Sequence, residues 1–348
     1  MALNIKEVLK ELCEISGPSG SEEAVVLRAK KLIEPYVDET WIDALGNLIG
    51  LRKCGNPNAK KMLIDAHIDE IGFVVTAIEE GFLKFSALGD FDARLLPASG
   101  VKILAEPVLD GVVCVLPPHI LRPEDTDVVT KIEDLYIDVG LTQEEAVRLI
   151  PIGTAGTLRG RFRAFGENAV CSKALDNRAG FVAMLSALEQ TKDAPLDVDL
   201  YVMASVKAKT GMRGAETGAF AISPDYCIVV DTIAARTHDA TEQEIPMNSG
   251  DGVIITRGPT IHRAFTEMLV ETAERMSIDH QITVMPSVLS GSNAVKIQVS
   301  QGGIVTAFIA LPIKYINSAN EIASMDDIES ATRLLVETIK SVKGGVEQ

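Results

Sequence analysis

Four short stretches place ionisable groups where a strand gives way to a loop. In "MLIDAHIDEIG" an apolar run ends on His67 and Asp69, and in "YCIVVD" another ends on Asp231. "SKALDNRAG" sets Asp176 at the mouth of a helical stretch, and "ASVKAKTGMRG" leaves its strand with Lys207 and Lys209. Imidazole and carboxylate are donor types that hold zinc or cobalt. Two-residue spacing in extended chain puts His67 and Asp69 on one face, where the acid can orient the imidazole. Singly, each residue has a plainer reading: Asp176 caps a helix, Asp231 opens a turn, His67 is a satisfied core histidine. Together the three read as a metal site. The lysines do not fit that reading, because they put cations at a strand end where an acid would suit the pattern.

Such groups need elements to hold them. The first 35 residues pattern as two helices around "GPSGSEE", with Ser19 and Glu22 at capping-box spacing before the second. The strands "ETWIDA", "NLIGLRK" and "KKMLIDA" follow. From about 71 to 162, short segments such as "IGFVVTAI", "GFLKFSAL", "VKILAEP" and "GVVCVLP" alternate with Gly, Pro and Asp turns, the signature of a small all-β unit; only "TQEEAVRLI" there patterns as helix. After "GENAVCSKALDNRAG" helices and strands alternate: helix 177–191, strand 197–206, helix 212–222, strand 226–231, helix 262–276, strands near 281 and 304, helix 325–342. The expected fold is α/β, an open, mostly parallel sheet covered by helices, with an inserted small all-β domain. Residues 1–68 and 163–348 make the discontinuous α/β domain and 69–162 the insert. In such sheets ligands collect beyond the carboxyl ends of the strands, where these groups lie.

The bulk numbers narrow the function classes. At 348 residues the chain exceeds one typical core. Its net charge is −16, with 49 acidic against 33 Lys and Arg residues, which argues against nucleic acid or an anionic membrane as partner. The amphipathic start is no signal peptide, and no apolar run is long enough to span a bilayer. Five scattered cysteines without a CxxC read as free thiols of a reducing compartment. A cytoplasmic protein is expected.

In order along the chain, "GPSGSEE", "DALGNLIG", "AHIDEIGF", "PPHI", "DLYIDVG", "SKALDNRAG", "GMRGAE", "IVVD" and "PIKYINSANE" resemble the tetrahedral metallo-aminopeptidases. That family includes glutamyl aminopeptidases and proteins once called endoglucanases of the M type. The resemblance implies a di-metal peptidase domain with an inserted β-domain, dimers, and hollow tetrahedral dodecamers; 69–162 would be the dimerisation unit. It also implies five metal ligands and a general base. The His of "AHxDEIG" and the Asp after the "GLRGA" unit bind the first ion, the Asp of "ALDNR" bridges, and a Glu before "xGLRGA" and the His of "RYIHSP" bind the second. A further Glu beside that ligand is the base.

Carried over residue by residue, His67, Asp176 and Asp231 match the first site. The base position is Ala208, the second-site Glu is Lys209, and the late His is Asn317. Asn293 stands for the acid of the family's "GGTDA". A charged Lys209 about 4 Å from a divalent ion would repel it by roughly 8 kcal/mol at an effective dielectric of 20. The expectation is therefore at most one zinc or cobalt ion per chain, no second ion, and Lys209 neutralising Asp176. Loss of a general base costs on the order of 10²–10⁴ in rate, so aminopeptidase turnover should be impaired or absent. The chain would then bind a peptide or small ligand, as a homo-oligomer or beside a homologous active subunit. Two alternatives stand beside this. One is a single-metal hydrolase using Asp69, Glu70 or Lys209 as proton carrier. The other is a glycosidase, for which no carboxylate pair is evident. Arg178 is placed in the same pocket, as a candidate partner for the aspartates.

Overall fold

Strand β3 shows how the sheet is built. Its residues Met62, Ile64 and Ala66 enter one hydrophobic core and Leu63 the core on the opposite face. The period-2 alternation carries Asp65 and His67 onto the second face, at the carboxyl end of the strand. The computed structural model describes residues 3–114, 116, 118–120, 131–284 and 292–342. Of the stretches quoted above, Val115 and Pro117 lie outside them.

In chain order the chain forms α1 (Ile5–Glu14), α2 (Glu23–Ile33), β1 (Glu39–Ile42), β2 (Leu48–Arg52) and β3 (Lys61–His67). The barrel strands β4 (Gly72–Glu79), β5 (Phe82–Leu88), β6 (Gly100–Ile103), β7 (Leu109–Val113) and β8 (Ile137–Asp138) follow, then α3 (Gln143–Leu149) and β9 (Ala155–Leu158). The chain returns through β10 (Arg163–Phe165) and β11 (Ala169–Ser172) to α4 (Leu175–Thr191), β12 (Asp199–Ser205), α5 (Arg213–Ile222) and β13 (Tyr226–Ala234). It closes with β14 (Val253–Arg257), α6 (Arg263–Arg275), β15 (His280–Val284), α7 (Ala294–Ile297), β16 (Val305–Lys314), β17 (Glu321–Ser324) and α8 (Met325–Ser341).

The large sheet runs β1-β2-β12-β3-β13-β16-β17-β11-β10, with β14 and β15 branching from β16. Its centre, β12-β3-β13-β16, is parallel, and its flanks are antiparallel. Helices α1, α2, α4, α6 and α8 pack on one face, α5 and α7 on the other. Helix α4 is buried on nearly every side, so its sequence shows no polar stripe. Strands β4-β5-β8-β7-β6-β9 close into a barrel with its own core around Phe73, Leu83 and Ile103. No helix among the described residues is long and apolar enough to cross a membrane.

Two local expectations are corrected. Ser19 and Glu22 make no capping box: α2 begins at Glu23 with no side-chain cap. The Ser19 hydroxyl donates to Asp69 instead, and Glu22 accepts the Gly20 and Lys207 amides. Tertiary partners outcompete the local one. The box forms at α3, where Thr142 and Glu145 satisfy each other. Asp176 does not cap α4 either; Ala174 holds the N-cap position in the left-handed region, and residues 176–177 are non-helical.

Candidate metal centre

His67 is the last residue of β3, in register with Ser205 of β12 and beside β13, which carries Asp231. Its Nε2 lies 3.3 Å from Asp176 Oδ1 and 3.6 Å from Asp231 Oδ1. One donor atom from each of the three side chains falls within 4.8 Å of the others, and all three are buried. Sheet topology and the non-helical start of α4 thus bring together residues up to 164 positions apart.

Asp69 acts on this cluster in two ways. Its carbonyl oxygen is 3.2 Å from His67 Nδ1 and its carboxylate 3.5 Å away, so the imidazole's second nitrogen is held by this residue. Its carboxylate also accepts the Ala208 and Lys209 amides at 3.1 Å each, together with the Ser19 hydroxyl. Lys207, in the left-handed region at φ 58°, donates its amide to Glu22 at 3.0 Å. Three successive N–H groups are therefore fixed on two carboxylates, and this sets where the side chain of residue 209 starts.

That side chain ends on Asp176: Lys209 Nζ donates to Oδ2, while the Thr232 hydroxyl donates to Oδ1 at 2.8 Å. Burial alone would raise the Asp176 carboxyl, but the Lys209 charge and His67 outweigh it and hold the group well below the usual range. Lys209 is raised in turn: burial opposes its charge, and Asp176 with the nearby Asp231 and Asp69 more than restores it. For His67, burial and the Lys209 charge favour the neutral ring, yet hydrogen bonding to three aspartates prevails and raises it well above its ordinary value. A metal ion here would share Asp176 with an ammonium.

Two residues in contact with Asp176, Thr232 and Glu321, are not singled out by the sequence. Glu321, buried at the start of β17, accepts the Asp176 amide at 3.0 Å on one oxygen and the Asn317 amide at 2.9 Å on the other. Burial and the Asp176 charge push it up to about 8. It closes the "PIKYINSANE" motif, but no spacing rule distinguishes it from a loop acid. Asn317 itself stands in the left-handed region, and its buried Oδ1 has no hydrogen-bond partner among the described residues.

Three expected site residues lie elsewhere. Glu70 is no proton carrier at the cluster: it is buried against Lys173, at 2.7 and 2.8 Å, and Arg178, at 3.2 Å. Arg178 does not reach the aspartates, because its guanidinium is spent on Glu70 and the carbonyls of Leu12, Ile15 and Ile68. It follows Asp176 by two residues, and the chain turns it to the opposite side. Asn293 does not line an open pocket; it is buried, donating to Asp65 at 2.7 Å and Ser205 at 2.9 Å. Asp65 is pushed up to about 6 by burial.

The donor set fits one ion: two carboxylates and an oriented imidazole are the three protein ligands of an open catalytic-type site. Among the described residues no second group of three His, Cys, Asp or Glu donors converges. Around Asp176 the other side chains in contact are the Lys209 ammonium, the Thr232 hydroxyl and, on its amide, the Glu321 carboxylate.

Residues 46–334 match the profile of the M42 glutamyl aminopeptidase family. The chain is 31% identical over 344 residues to the lysyl aminopeptidase of Pyrococcus furiosus, covering 97% of each. Among solved structures it superposes on the TET aminopeptidase of the Thaumarchaeota archaeon SCGC AB-539-E09 with a TM-score of 0.92, 29% identity and 97% of each chain covered. The Pyrococcus horikoshii TET1 peptidase, which can assemble into a tetrahedron or a large octahedral shell, gives 0.85 at 28% identity, over 97% of this chain and 100% of that one.

Proposed function

The chain belongs to the M42 glutamyl aminopeptidase family, and from its site we propose that it is a member in which the second metal position and the general base are lost. The observation that carries this reading is the Lys209 ammonium on Asp176, the carboxylate that would bridge two ions. M42 peptidases are metal-dependent. A zinc or cobalt ion here would be held by His67, Asp176 and Asp231 and would supply Lewis-acid polarisation of a carbonyl. The chain's own residues do the rest of the work poorly. Ala208 has no proton to exchange, and Asn317 offers a carboxamide where an imidazole ligand is needed. Lys209, held charged by Asp176, can donate a hydrogen bond but cannot act as a base.

Aminopeptidase turnover is therefore weak or absent, and the protein binds a peptide or small ligand at the retained site. It works in the cytoplasm as a homo-oligomer, a dimer or a dodecamer, or shares a particle with an active homologous subunit. The similarity to TET assemblies supports the homo-oligomer. A second reading, a single-metal hydrolase with altered chemistry, is favoured by one observation: the three first-site donors remain converged and buried.

Metal content per chain, measured after zinc or cobalt saturation, tests the proposal. One ion or none is expected, with any ion lost in His67→Ala; two ions per chain would overturn it. The triple change Ala208→Glu, Lys209→Glu, Asn317→His is expected to raise stoichiometry to two and to raise amino-acyl anilide hydrolysis by 10² or more. An inert parent and an active repair would exclude the single-metal hydrolase; parent turnover on any ester, amide or glycoside would establish an altered enzyme.

A further inference from the structure

Asp69 is fully buried, and donors crowd both of its carboxylate oxygens. Oδ1 accepts the Ala208 amide at 3.1 Å and lies 3.5 Å from His67 Nδ1. Oδ2 accepts the Lys209 amide at 3.1 Å and the Ser19 hydroxyl. Two of these donors are backbone groups of the loop that Asp69 fixes, and a third is the ring that it orients. Ser19 alone reaches the carboxylate from a separate segment of chain.

That segment is tied down on the Glu70 side. Pro18 and Glu70 form a parallel bridge; the Glu70 amide donates to the Gly17 carbonyl at 3.0 Å and the Ser19 amide to the Glu70 carbonyl at 3.4 Å. The Gly17 amide adds a bond to the Glu70 carboxylate at 3.0 Å. A Cβ at Gly17 would stand 2.7 Å from Val25 Cγ1, so glycine is what lets the segment lie this close. Gly20, at φ +90°, then turns the chain, and Glu22 meets the Lys207 amide at 3.0 Å. Ser19 and Glu22 thus grip the 207–209 loop together, one through Asp69 and one directly. Both are buried.

We propose that Ser19 is a positioning residue of the metal centre: its hydroxyl locks the Asp69 carboxylate, which in turn aims the His67 ring and the 207–209 loop. What this means for Lys209 rests on the reading above, that its ammonium takes a cation's place on Asp176. The loop does not hold its own shape. Lys207 and Met212 both stand in the left-handed region at φ 58°, a conformation that residues other than glycine keep only where surrounding contacts over-determine it. Here those contacts are the amides of 207, 208 and 209 on Glu22 and Asp69. Removing the Ser19 hydroxyl leaves a buried carboxylate oxygen short of a donor. The carboxylate is then free to turn about its Cβ–Cγ bond, and each amide it holds weakens with it. Groups that orient a metal ligand directly are worth about 10–100-fold in affinity. Ser19 stands one residue further out, so about tenfold is the expected scale.

The experiment is hydrogen exchange by mass spectrometry on the metal-free full chain, for the parent, Ser19→Ala, Ser19→Thr and Ser16→Ala. Ser16 lies in the same segment but pairs with Thr157 at 3.1 Å and not with Asp69. Ser19→Ala is expected to speed exchange in residues 206–212 about tenfold, with α4 and α8 unchanged. Ser19→Thr, which keeps the hydroxyl, and Ser16→Ala should stay within about threefold of the parent. An unchanged loop in Ser19→Ala, an equal acceleration in Ser16→Ala, or a Ser19→Thr loop as unprotected as that of Ser19→Ala would overturn the proposal. Cobalt titration in the Lys209→Met background reads the metal side: adding Ser19→Ala should weaken binding about tenfold and alter the visible absorption of the bound ion. Affinity and absorption both unchanged would overturn the link to His67. Exchange is read without metal, so it decides the role of Ser19 even where the chain binds no ion, or binds two and so overturns the reading above alone.

Discussion

Replacing Lys209 with methionine separates the ammonium from the space its side chain fills. An ion held by His67 Nε2 and the Asp176 carboxylate would sit about 5 Å from the Lys209 charge. At effective dielectrics of 20 to 40 the repulsion is ~3–7 kcal/mol. The side chain is 17% exposed and can swing partly aside, so the lower end is the appropriate figure. About 3 kcal/mol corresponds to roughly a hundredfold in affinity. Lys209→Met is therefore predicted to bind cobalt about a hundredfold more tightly than the parent, followed by the visible absorption of the bound ion at fixed pH, with His67→Ala abolishing the signal in both. The same change should have the opposite effect without metal. Asp176 would keep the Thr232 hydroxyl and His67 as side-chain partners, and a buried carboxylate that loses its ammonium partner destabilises the fold by ~2–4 kcal/mol. The metal-free variant should melt several degrees below the parent and recover with cobalt. Affinity within threefold of the parent, or a metal-free variant as stable as the parent, would refute the claim that Lys209 takes the place of a cation.

Other predictions test groups around the site. Glu70→Gln leaves Lys173 and Arg178 buried without a carboxylate, so urea unfolding should show a loss of about 3–5 kcal/mol with little change in slope, while cobalt affinity of the folded fraction stays unchanged; a proton carrier at the cluster would show the reverse. Asp327, buried and accepting the Gly250 and Gly252 amides at 2.8 Å each, is pushed up to about 7 by burial. Because the folded state then holds the proton more tightly than the unfolded chain, its contribution is full below about pH 4 and is lost as pH rises through 7. The stability difference between parent and Asp327→Asn should fall by roughly 1–3 kcal/mol between pH 4 and pH 8; a flat difference would contradict the raised carboxyl. Glu321→Ala frees the Asp176 and Asn317 amides and should weaken cobalt binding about tenfold, an effect that Glu321→Gln, which retains one acceptor, should only partly reproduce.

How much of this was legible beforehand depends on the range over which each interaction is decided. The α/β rhythm, the separate β-rich stretch and the positions of His67, Asp176 and Asp231 at chain ends of elements follow from local periodicity, because burial of a strand or helix face is written into every second or third residue. The Lys209–Asp176 pair was also legible, since it needed only the residue types at positions matched by the family motif. What the linear chain did not carry is which way a side chain faces once several partners compete for it. Ser19 and Glu22 have the spacing of a capping box, yet Asp69 and the Lys207 amide, 50 and 185 residues away, hold them instead. Arg178 lies two residues from Asp176 but turns to Glu70, because a buried guanidinium requires a carboxylate and several carbonyls at once and only that side of α4 supplies them. Glu321 is one acid among 49 in the sequence and becomes a clasp only where β17 meets the start of α4. Sequence by itself determined the chemistry present at the strand ends; the tertiary structure decided which groups share it, because desolvation makes every buried charge find a partner wherever the fold has placed one.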